Sequence, residues 1–281
     1  MKKVVKPNLN KRRTMLFYGD SGTGKTVLAS TAQLHDNYKN VFMIDGEGGY
    51  SSIASYMGDK AKDMLIYPVD TLADLEEVAE WLMKREQAQR YYKEAKKPEE
   101  KKRYRDILIE QEQAIRDDVT EPTIINTIVL DSLSRFQQMA MAEIVGDNST
   151  LDTNRFKKAS FDHWGKNKKV LRNLVNIMFN LQNYNLIFLA LSNVKEINGE
   201  EKIVPFLEGN YVREVGANFD IVGYYEKSYD RKAKEDVRIL YWDNANAITK
   251  NRFSDGNSQK DENKFMVNPT IEKIEKFIGG K

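Results

Sequence analysis

The segment that most constrains this chain is Gly19-Asp20-Ser21-Gly22-Thr23-Gly24-Lys25-Thr26, which matches the pattern G-x-x-x-x-G-K-[ST] at every fixed position. The apolar run Met15–Tyr18 before it predicts a strand, and Val27-Leu28-Ala29 after it predicts the continuation of a helix. Glycines allow such a loop to curl until successive backbone N–H groups and the start of the helix point at phosphate oxygens. The strand, loop and helix together predict a site for the phosphates of a nucleoside triphosphate.

Two side chains of this phosphate loop have predicted tasks of their own. Lys25 is expected to lie on the solvent side of the crevice and to reach the β- and γ-phosphates. The hydroxyl of Thr26 is expected to occupy a ligand position of Mg²⁺. The other nucleotide contacts are expected from Gly19, Asp20, Ser21, Gly22, Thr23, Gly24 and Val27.

A second apolar strand, Thr127-Ile128-Val129-Leu130, ends in the carboxylate Asp131. A buried parallel strand reads as a continuous apolar run, and its carboxyl end faces the ligand crevice. We therefore predict that Asp131 lies beside Thr26 and holds Mg²⁺ through water. A core strand that merely ends in aspartate is the alternative interpretation.

The residue after Asp131 is Ser132, at a position where many ATPases with such a loop carry a catalytic glutamate. The base must therefore come from another segment. The apolar run Val41–Ile44 is followed by Asp45-Gly46-Glu47-Gly48-Gly49, and this strand is expected at the same sheet edge as the phosphate loop. Glu47 is the predicted base that polarises the attacking water. An ordinary turn rich in aspartate and glycine is the alternative.

Composition excludes several classes of site and protein. The 281 residues contain no cysteine and only two histidines, which excludes thiolate catalysis, Cys-ligated zinc and a histidine-based metal centre. Lys and Arg number 44 against 42 Asp and Glu, so a uniformly basic surface for nucleic acid is excluded. The longest apolar run, Leu186–Leu191, is far shorter than the ~20 residues that span a bilayer. We expect a soluble, cytoplasmic protein with neither a signal peptide nor a membrane partner.

Short apolar runs alternate with longer amphipathic ones, which predicts an α/β fold with a mainly parallel sheet. Helices are predicted from about Lys25, Leu72, Leu133 and Lys166, and a short C-terminal helix after Pro269. Asn198-Gly199 predicts a β-hairpin, and later runs, including Ala247–Thr249, predict a meander at the sheet edge. Between Lys84 and Asp118, eleven basic and nine acidic residues predict a charged helical hairpin broken at Pro98. This hairpin is either a solvated surface element or a protruding arm for a partner.

The order of these motifs resembles the RecA-type recombinase core, in particular the minimal RecA-like proteins of phages that serve as single-strand annealing recombinases. The resemblance covers about residues 13–255. We divide the chain into a basic N-terminal segment (1–13), an ATPase domain (14–255) with a helical insertion at about 84–118, and a C-terminal tail with a helix (256–281). The resemblance applies to the ATPase domain. It also implies a Mg²⁺-dependent ATPase that binds single-stranded DNA and promotes annealing or recombination in the host cytoplasm, as a homo-oligomeric ring or filament. A single-strand-binding protein is a further implied partner.

The same resemblance assigns roles to individual residues. Glu47 matches the catalytic glutamate of the family. Leu189-Ala190-Leu191-Ser192-Asn193 matches the strand whose terminal polar residue senses the γ-phosphate, where the family often has Gln and this chain has Asn193. Lys250 and Arg252 resemble the element that reaches a neighbouring subunit's nucleotide as trans-acting cations.

DNA contacts are predicted from clusters of basic residues. Lys166, Lys168 and Lys169 belong to a group that also contains Arg155, Phe156, Lys157, Lys158, Phe161, Trp164 and Arg172. Cations beside aromatic rings suit single-stranded DNA, because phosphates are neutralised while bases stack. The predicted hairpin Lys195–Phe206 lies where RecA-like proteins place a DNA loop, and it contributes Lys195 and Lys202. For each cluster, an ordinary solvated surface is the alternative.

Two other functions remain open from the sequence. The first is a nucleotide-gated DNA-binding or scaffold protein with little hydrolysis. The second is a small-molecule kinase, which needs a substrate lid rich in arginine, and the hairpin after Leu82 is its sole candidate. The acidic residues and glycines at 45–49 favour hydrolysis over this kinase.

Overall fold

The computed structural model describes residues 12–146, 159–208, 211–253 and 264–279. Its sheet strands are β1 Thr14–Gly19, β2 Val41–Asp45, β3 Leu65–Pro68, β4 Thr127–Asp131, β5 Asn185–Ile197, β6 Glu200–Pro205, β7 Ile221–Asp230, β8 Glu235–Tyr241, β9 Lys250–Asn251 and β10 Phe265–Val267. Their order across the sheet is β3-β2-β4-β5-β1-β7-β8-β10, with β6 pairing with β5 and β9 with β7. The strands from β3 to β7 in this order are parallel, so their carboxyl ends meet at one edge.

The helices are α1 Lys25–Ser30, α2 Tyr50–Met57, α3 Leu72–Glu94, α4 Pro98–Gln113, α5 Leu133–Val145, α6 Phe161–Asn180, α7 Tyr211–Asn218 and α8 Ile271–Gly279. They cover both faces of the sheet. Side chains of β1 alternate between two cores: Leu16 and Tyr18 pack with α3, α5, α6 and α7, whereas Met15 and Phe17 pack with α1, α2 and α8. Burial on both faces explains why the parallel strands are continuously apolar in sequence.

The charged insertion folds as the antiparallel pair α3 and α4, with Pro98 at the first turn of α4. Its base is held by a buried ion pair, in which Arg85 Nη2 lies 2.5 Å from Glu112 Oε2. Arg85 also donates to the carbonyl oxygens of Leu108 (3.1 Å) and Thr123 (2.7 Å). The base of the hairpin is therefore anchored in the protein and is not merely solvated.

The structure confirms the predicted fold class. The mainly parallel sheet, the β7-β8-β10 edge meander and the charged helical hairpin that the sequence predicts are all present. One strand was predicted wrongly: Ala247 forms only an isolated bridge with Ile203, and the short β9 begins at Lys250. The basic residues at 1–11 and at 155–158 lie outside the described part of the chain. No helix in that part is long and apolar enough to cross a membrane.

Candidate active site

The phosphate loop connects β1 to α1 and closes around its own lysine. Lys25 Nζ donates to the carbonyl oxygens of Gly19 (2.9 Å) and Asp20 (2.8 Å). Only 6% of Lys25 is exposed, so it does not lie on the solvent side as the sequence suggested. Burial lowers the pKa of its ammonium group, and the nearby carboxylates of Glu47 and Asp131 oppose this shift. The side chain that is expected to contact the phosphates therefore hydrogen-bonds within the phosphate loop.

Two glycines of the loop are required by close packing. A Cβ atom on Gly19 would lie 1.9 Å from the carbonyl oxygen of Tyr225, inside the backbone of the neighbouring strand β7. Gly24 has a φ of +95°, and a Cβ there would lie 2.9 Å from Arg238 Nε. These contacts leave no room for a side chain at Gly19 and strain one at Gly24.

Thr26, at the start of α1, contacts Asp131, although β5 separates β4 from β1, the strand that leads into the phosphate loop. Thr26 Oγ1 donates to Asp131 Oδ2 at 2.6 Å. A Cβ on Gly49 would lie 3.2 Å from Thr26 Oγ1, so the loop after β2 also packs against this pair. The three segments that the sequence marked separately therefore converge at the carboxyl edge of the sheet.

The loop after β2 is shaped by Asp45. Its Oδ1 accepts hydrogen bonds from the backbone N–H groups of Glu47 (3.0 Å), Gly48 (2.9 Å) and Gly49 (3.3 Å). These bonds fold the segment back toward Thr26 and leave the Glu47 side chain exposed at the crevice. Asp45 therefore positions the predicted base.

Ser132 holds Glu47 directly. The Ser132 hydroxyl donates to Glu47 Oε1 and accepts from the backbone N–H of Arg135 at 3.3 Å. Ser132 is fully buried. The serine that replaces the usual glutamate after Asp131 thus fixes a glutamate supplied by the neighbouring strand β2.

The donor set at Thr26 and Asp131 fits Mg²⁺. Hydroxyl and carboxylate oxygens are preferred ligands of this cation, which in nucleotide sites takes one or two protein ligands beside phosphates and water. Among the described residues, Asp45 Oδ2 is buried without a hydrogen-bond partner, and Asp45 pairs in register with Asp131. Thr26 and Asp131 are therefore the residues that would hold the cation. In the same described ranges, no group of three or more histidines or carboxylates could hold a metal ion.

Burial raises the pKa of Asp131 from 3.8 to about 7, with Glu47 and Asp45 adding to the shift and the Thr26 hydrogen bond opposing it. A carboxyl group whose pKa is raised by folding stabilises the protein when protonated, and this stabilisation is lost as the pH rises toward the folded-state pKa. Asp131 therefore destabilises the nucleotide-free protein at neutral and higher pH.

We expect Asp131→Asn to become progressively more stable than the native chain as the pH rises, because the amide does not ionise. Its advantage in the free energy of unfolding should grow by about 2–3 kcal/mol between about pH 5 and about pH 8. Urea denaturation without nucleotide or Mg²⁺, at a series of pH values, measures this. A difference between the two proteins that does not change with pH would contradict the prediction.

Among the described residues, no hydrogen bond joins the predicted γ-phosphate sensor Asn193 to the phosphate loop. Asn193 Oδ1 accepts from the adjacent N–H of Val194 at 2.8 Å. Its neighbour Ser192 instead donates to Asp20 Oδ1 of the phosphate loop. The role of Asn193 as the γ-phosphate sensor stays a prediction. Ser192 forms a contact between β5 and the phosphate loop that the sequence did not predict.

Lys250 and Arg252 lie near the amino ends of the parallel strands, whereas the phosphate loop lies at their carboxyl ends. Lys250 Nζ donates to the carbonyl oxygens of Gly216 (3.2 Å) and Ala217 (2.8 Å) at the end of α7. Arg252 pairs with Asp220 at 3.0 Å and donates to the Ala217 oxygen at 2.9 Å. In the described part of the chain, neither residue forms a hydrogen bond with the phosphate loop. Their action on the nucleotide of a neighbouring subunit stays a prediction.

Arg238 is a further loop contact that the sequence did not indicate. Its Nε donates to the carbonyl oxygen of Thr23 at 3.0 Å, from strand β8 of the edge meander. No motif marks this arginine, because it lies more than two hundred residues from the loop in sequence. The contact places a cation against the phosphate loop within the same chain.

The predicted DNA-binding lysines differ in their surroundings. Lys166 pairs with Asp162 at 2.7 Å and Lys168 with Glu214 at 2.9 Å, whereas no ion pair of Lys169 is found in the described part of the chain. Lys195 donates to the Leu207 oxygen and Lys202 to the Ala245 oxygen, both at 2.7 Å. Two aromatic residues of the predicted group lie on α6 and are not core: Phe161 is 95% exposed and Trp164 is 40% exposed.

Comparison with known proteins identifies the family. The AAA domain family matches residues 11–253. This chain belongs to the AAA domain family. The family implies a nucleotide, usually with Mg²⁺, at the loop of this AAA domain. A search of curated proteins found no match.

Two solved structures resemble this AAA domain at low sequence identity. The flagellar accessory protein FlaH from Methanocaldococcus jannaschii is 12% identical, with a TM-score of 0.38, over 86% of this chain and 80% of that one. The RadB recombinase is 12% identical, with a TM-score of 0.39, over 82% of this chain and 80% of that one.

Proposed function

We propose that this protein is a Mg²⁺-dependent ATPase that binds single-stranded DNA and promotes annealing or recombination as an oligomer, in the manner of the RecA-like proteins of phages. The observation that carries the hydrolytic part is the position of Glu47. It is held by Ser132 and by the loop folded around Asp45, beside the contact between Thr26 and Asp131. A positioned carboxylate next to a phosphate loop supports water activation.

The side chains of the site have different roles in the proposed hydrolysis. Lys25, whose ammonium group donates to the carbonyl oxygens of Gly19 and Asp20, would donate instead to the β- and γ-phosphates. Thr26 and Asp131 would hold Mg²⁺, which would supply positive charge to neutralise the phosphate oxygens. Glu47 orients the attacking water and accepts its proton, while Ser132 keeps the carboxylate in place.

Exposed groups near the carboxyl edge support DNA binding. Phe161, Trp164 and Lys169 are all exposed on α6. The β5-β6 hairpin continues directly from Ser192, which contacts Asp20 of the phosphate loop. A change in the conformation of the phosphate loop on nucleotide binding would therefore act through Ser192 on the hairpin that carries Lys195 and Lys202.

The proposed function is tested by steady-state ATP turnover with single-stranded DNA, with duplex DNA and without DNA. Release of ADP and inorganic phosphate, stimulated by single-stranded DNA, is the expected result. Binding of ATP and DNA without turnover would instead identify a nucleotide-gated scaffold. A phosphorylated acceptor in place of free phosphate would identify a kinase.

We expect Glu47→Gln to bind ATP normally and to hydrolyse it about 10²-fold more slowly or worse, because the amide cannot accept a proton. Turnover and nucleotide affinity are measured separately, the latter with a fluorescent ATP analogue. Glu76→Gln, which changes an exposed glutamate on α3, is the matched control. Normal hydrolysis by Glu47→Gln, together with loss of activity in Asp131→Asn, would place the base elsewhere.

A further inference from the structure

The end of the helical hairpin projects beyond the core of the protein. We call residues 90–104, which contain the last turn of α3, the connection and the start of α4, the hairpin tip. None of these residues is buried, whereas Gln89 and Leu108, just outside the tip on the two helices, are fully buried. The Arg85–Glu112 ion pair fixes the base from which the tip extends. The tip is thus a solvent-facing extension, or arm, of a hairpin whose base is anchored in the protein.

This arm concentrates positive charge. Its seven cations are Arg90, Lys93, Lys96, Lys97, Lys101, Lys102 and Arg103, and its three carboxylates are Glu94, Glu99 and Glu100. The excess of positive charge within the tip is larger than the formal net charge of +2 carried by the whole chain. A nearly neutral protein therefore presents one strongly basic projection.

The cations of the tip are not neutralised within the chain. Across the described ranges, none of the seven forms an ion pair with a carboxylate, although three carboxylates lie in the same segment. The basic cluster on α6 differs, since Asp162 and Glu214 already pair with Lys166 and Lys168. Counterion release on binding a polyanion is largest where cations have no internal partner.

Tyrosines brace this surface. The rings of Tyr91 and Tyr104 stack across the two helices with centroids 5.1 Å apart. Lys101 Nζ lies 5.4 Å from the centre of the Tyr92 ring, and the guanidinium of Arg90 lies 5.2 Å from that of Tyr91. These contacts hold both helices and their cations in a fixed arrangement, which reduces the entropy lost when a ligand binds.

We infer that the hairpin tip is a second nucleic-acid contact, which binds the phosphate backbone of a single strand. The inference rests on the proposed binding of single-stranded DNA. A protein partner is disfavoured because interfaces between proteins are anchored by apolar and aromatic residues. The large exposed hydrophobic side chains of the described ranges all lie outside the tip. The tyrosines of the tip are partly buried, so its exposed surface consists mainly of unpaired cations, which match repeating phosphates.

The test compares two variants with equal loss of charge. In the tip variant, Lys96, Lys97, Lys101 and Lys102 are all changed to Gln. In the control variant, the same change is made at the solvent-facing residues Lys60, Lys62, Lys273 and Lys276. Binding of a labelled oligothymidine is measured by fluorescence anisotropy over a series of salt concentrations. ATP turnover without DNA and the thermal unfolding midpoint show that both variants are folded.

The tip variant is expected to bind at least about tenfold more weakly at low salt, with the slope of log affinity against log salt reduced by up to about three. The control variant should keep nearly the native slope, and Lys→Arg changes at the four tip positions should restore binding. Native affinity and slope in the tip variant, or equal losses in both variants, would overturn the inference while leaving the proposed function intact. Absence of any oligothymidine binding by the native chain would overturn both.

Discussion

Lys25→Ala is expected to abolish ATP turnover and to weaken nucleotide binding severely, because the β- and γ-phosphates lose their only cation from within the loop. Turnover by the purified variant and affinity for a fluorescent ATP analogue are the measurements. Lys84→Ala, which removes an exposed lysine from α3, is the control for loss of a positive charge. Turnover above about a tenth of the native value would refute the assignment of the phosphate loop.

The same substitution has a second expected effect, which follows from the hydrogen bonds of Lys25 within the phosphate loop. Lys25 binds the carbonyl oxygens of Gly19 and Asp20, so alanine removes two hydrogen bonds from the nucleotide-free protein. The cost should be small, about 1–2 kcal/mol in the free energy of unfolding, because the substitution also removes the cost of burying an ammonium group. Far-UV circular dichroism and urea denaturation separate this modest loss of stability from the loss of activity.

Much of the site could be predicted because its chemistry is local in sequence. The phosphate loop from Gly19 to Thr26 can be recognised directly in the sequence, because phosphate binding requires the glycines, the lysine and the threonine at a fixed spacing. Asp131 and Glu47 follow from a general rule, that side chains after parallel strands meet at the carboxyl edge of the sheet. The continuous apolar runs of β1, β2 and β4 likewise indicate strands buried on both faces.

The contacts that sequence could not supply join segments far apart in the chain. Arg238 reaches Thr23 because β8 folds back along β7, and Ser192 reaches Asp20 because β5 lies beside β1. Neither pairing has a signature in local composition. The buried Arg85 in the charged hairpin is a similar case, since its sequence is typical of a solvated helix and only the partner Glu112 makes burial possible.

Arg252 provides the other large expected effect. Its side chain pairs with Asp220, and Asp220 in turn accepts from the N–H and hydroxyl of Thr14 at the start of β1. The phosphate loop begins at the other end of β1, a strand of six residues that spans about 17 Å or more. An arginine side chain cannot cover that distance. If Arg252 acts on a phosphate, it must act on the phosphate of a neighbouring subunit.

Arg252→Ala is therefore expected to bind ATP through its own intact loop and to hydrolyse it about 10³-fold more slowly or worse, the scale of effect known for arginines that act in trans. A purely structural arginine would behave differently, because loss of its contacts with Asp220 and Ala217 would lower the unfolding midpoint without a defect that a second chain could repair.

Mixing Arg252→Ala with Lys25→Ala separates these two roles. Each protein alone should be inactive, but a mixed oligomer contains interfaces in which an intact loop on one chain faces an intact Arg252 on the next. Turnover should rise from near zero and pass through a maximum at intermediate mixing ratios, since such interfaces are most numerous there. A cis-acting or structural Arg252 leaves a defect in every chain, so turnover that stays at zero at all ratios would reject the trans-acting role. Recovery would in addition demonstrate that the active form is an oligomer, because monomers cannot complement one another.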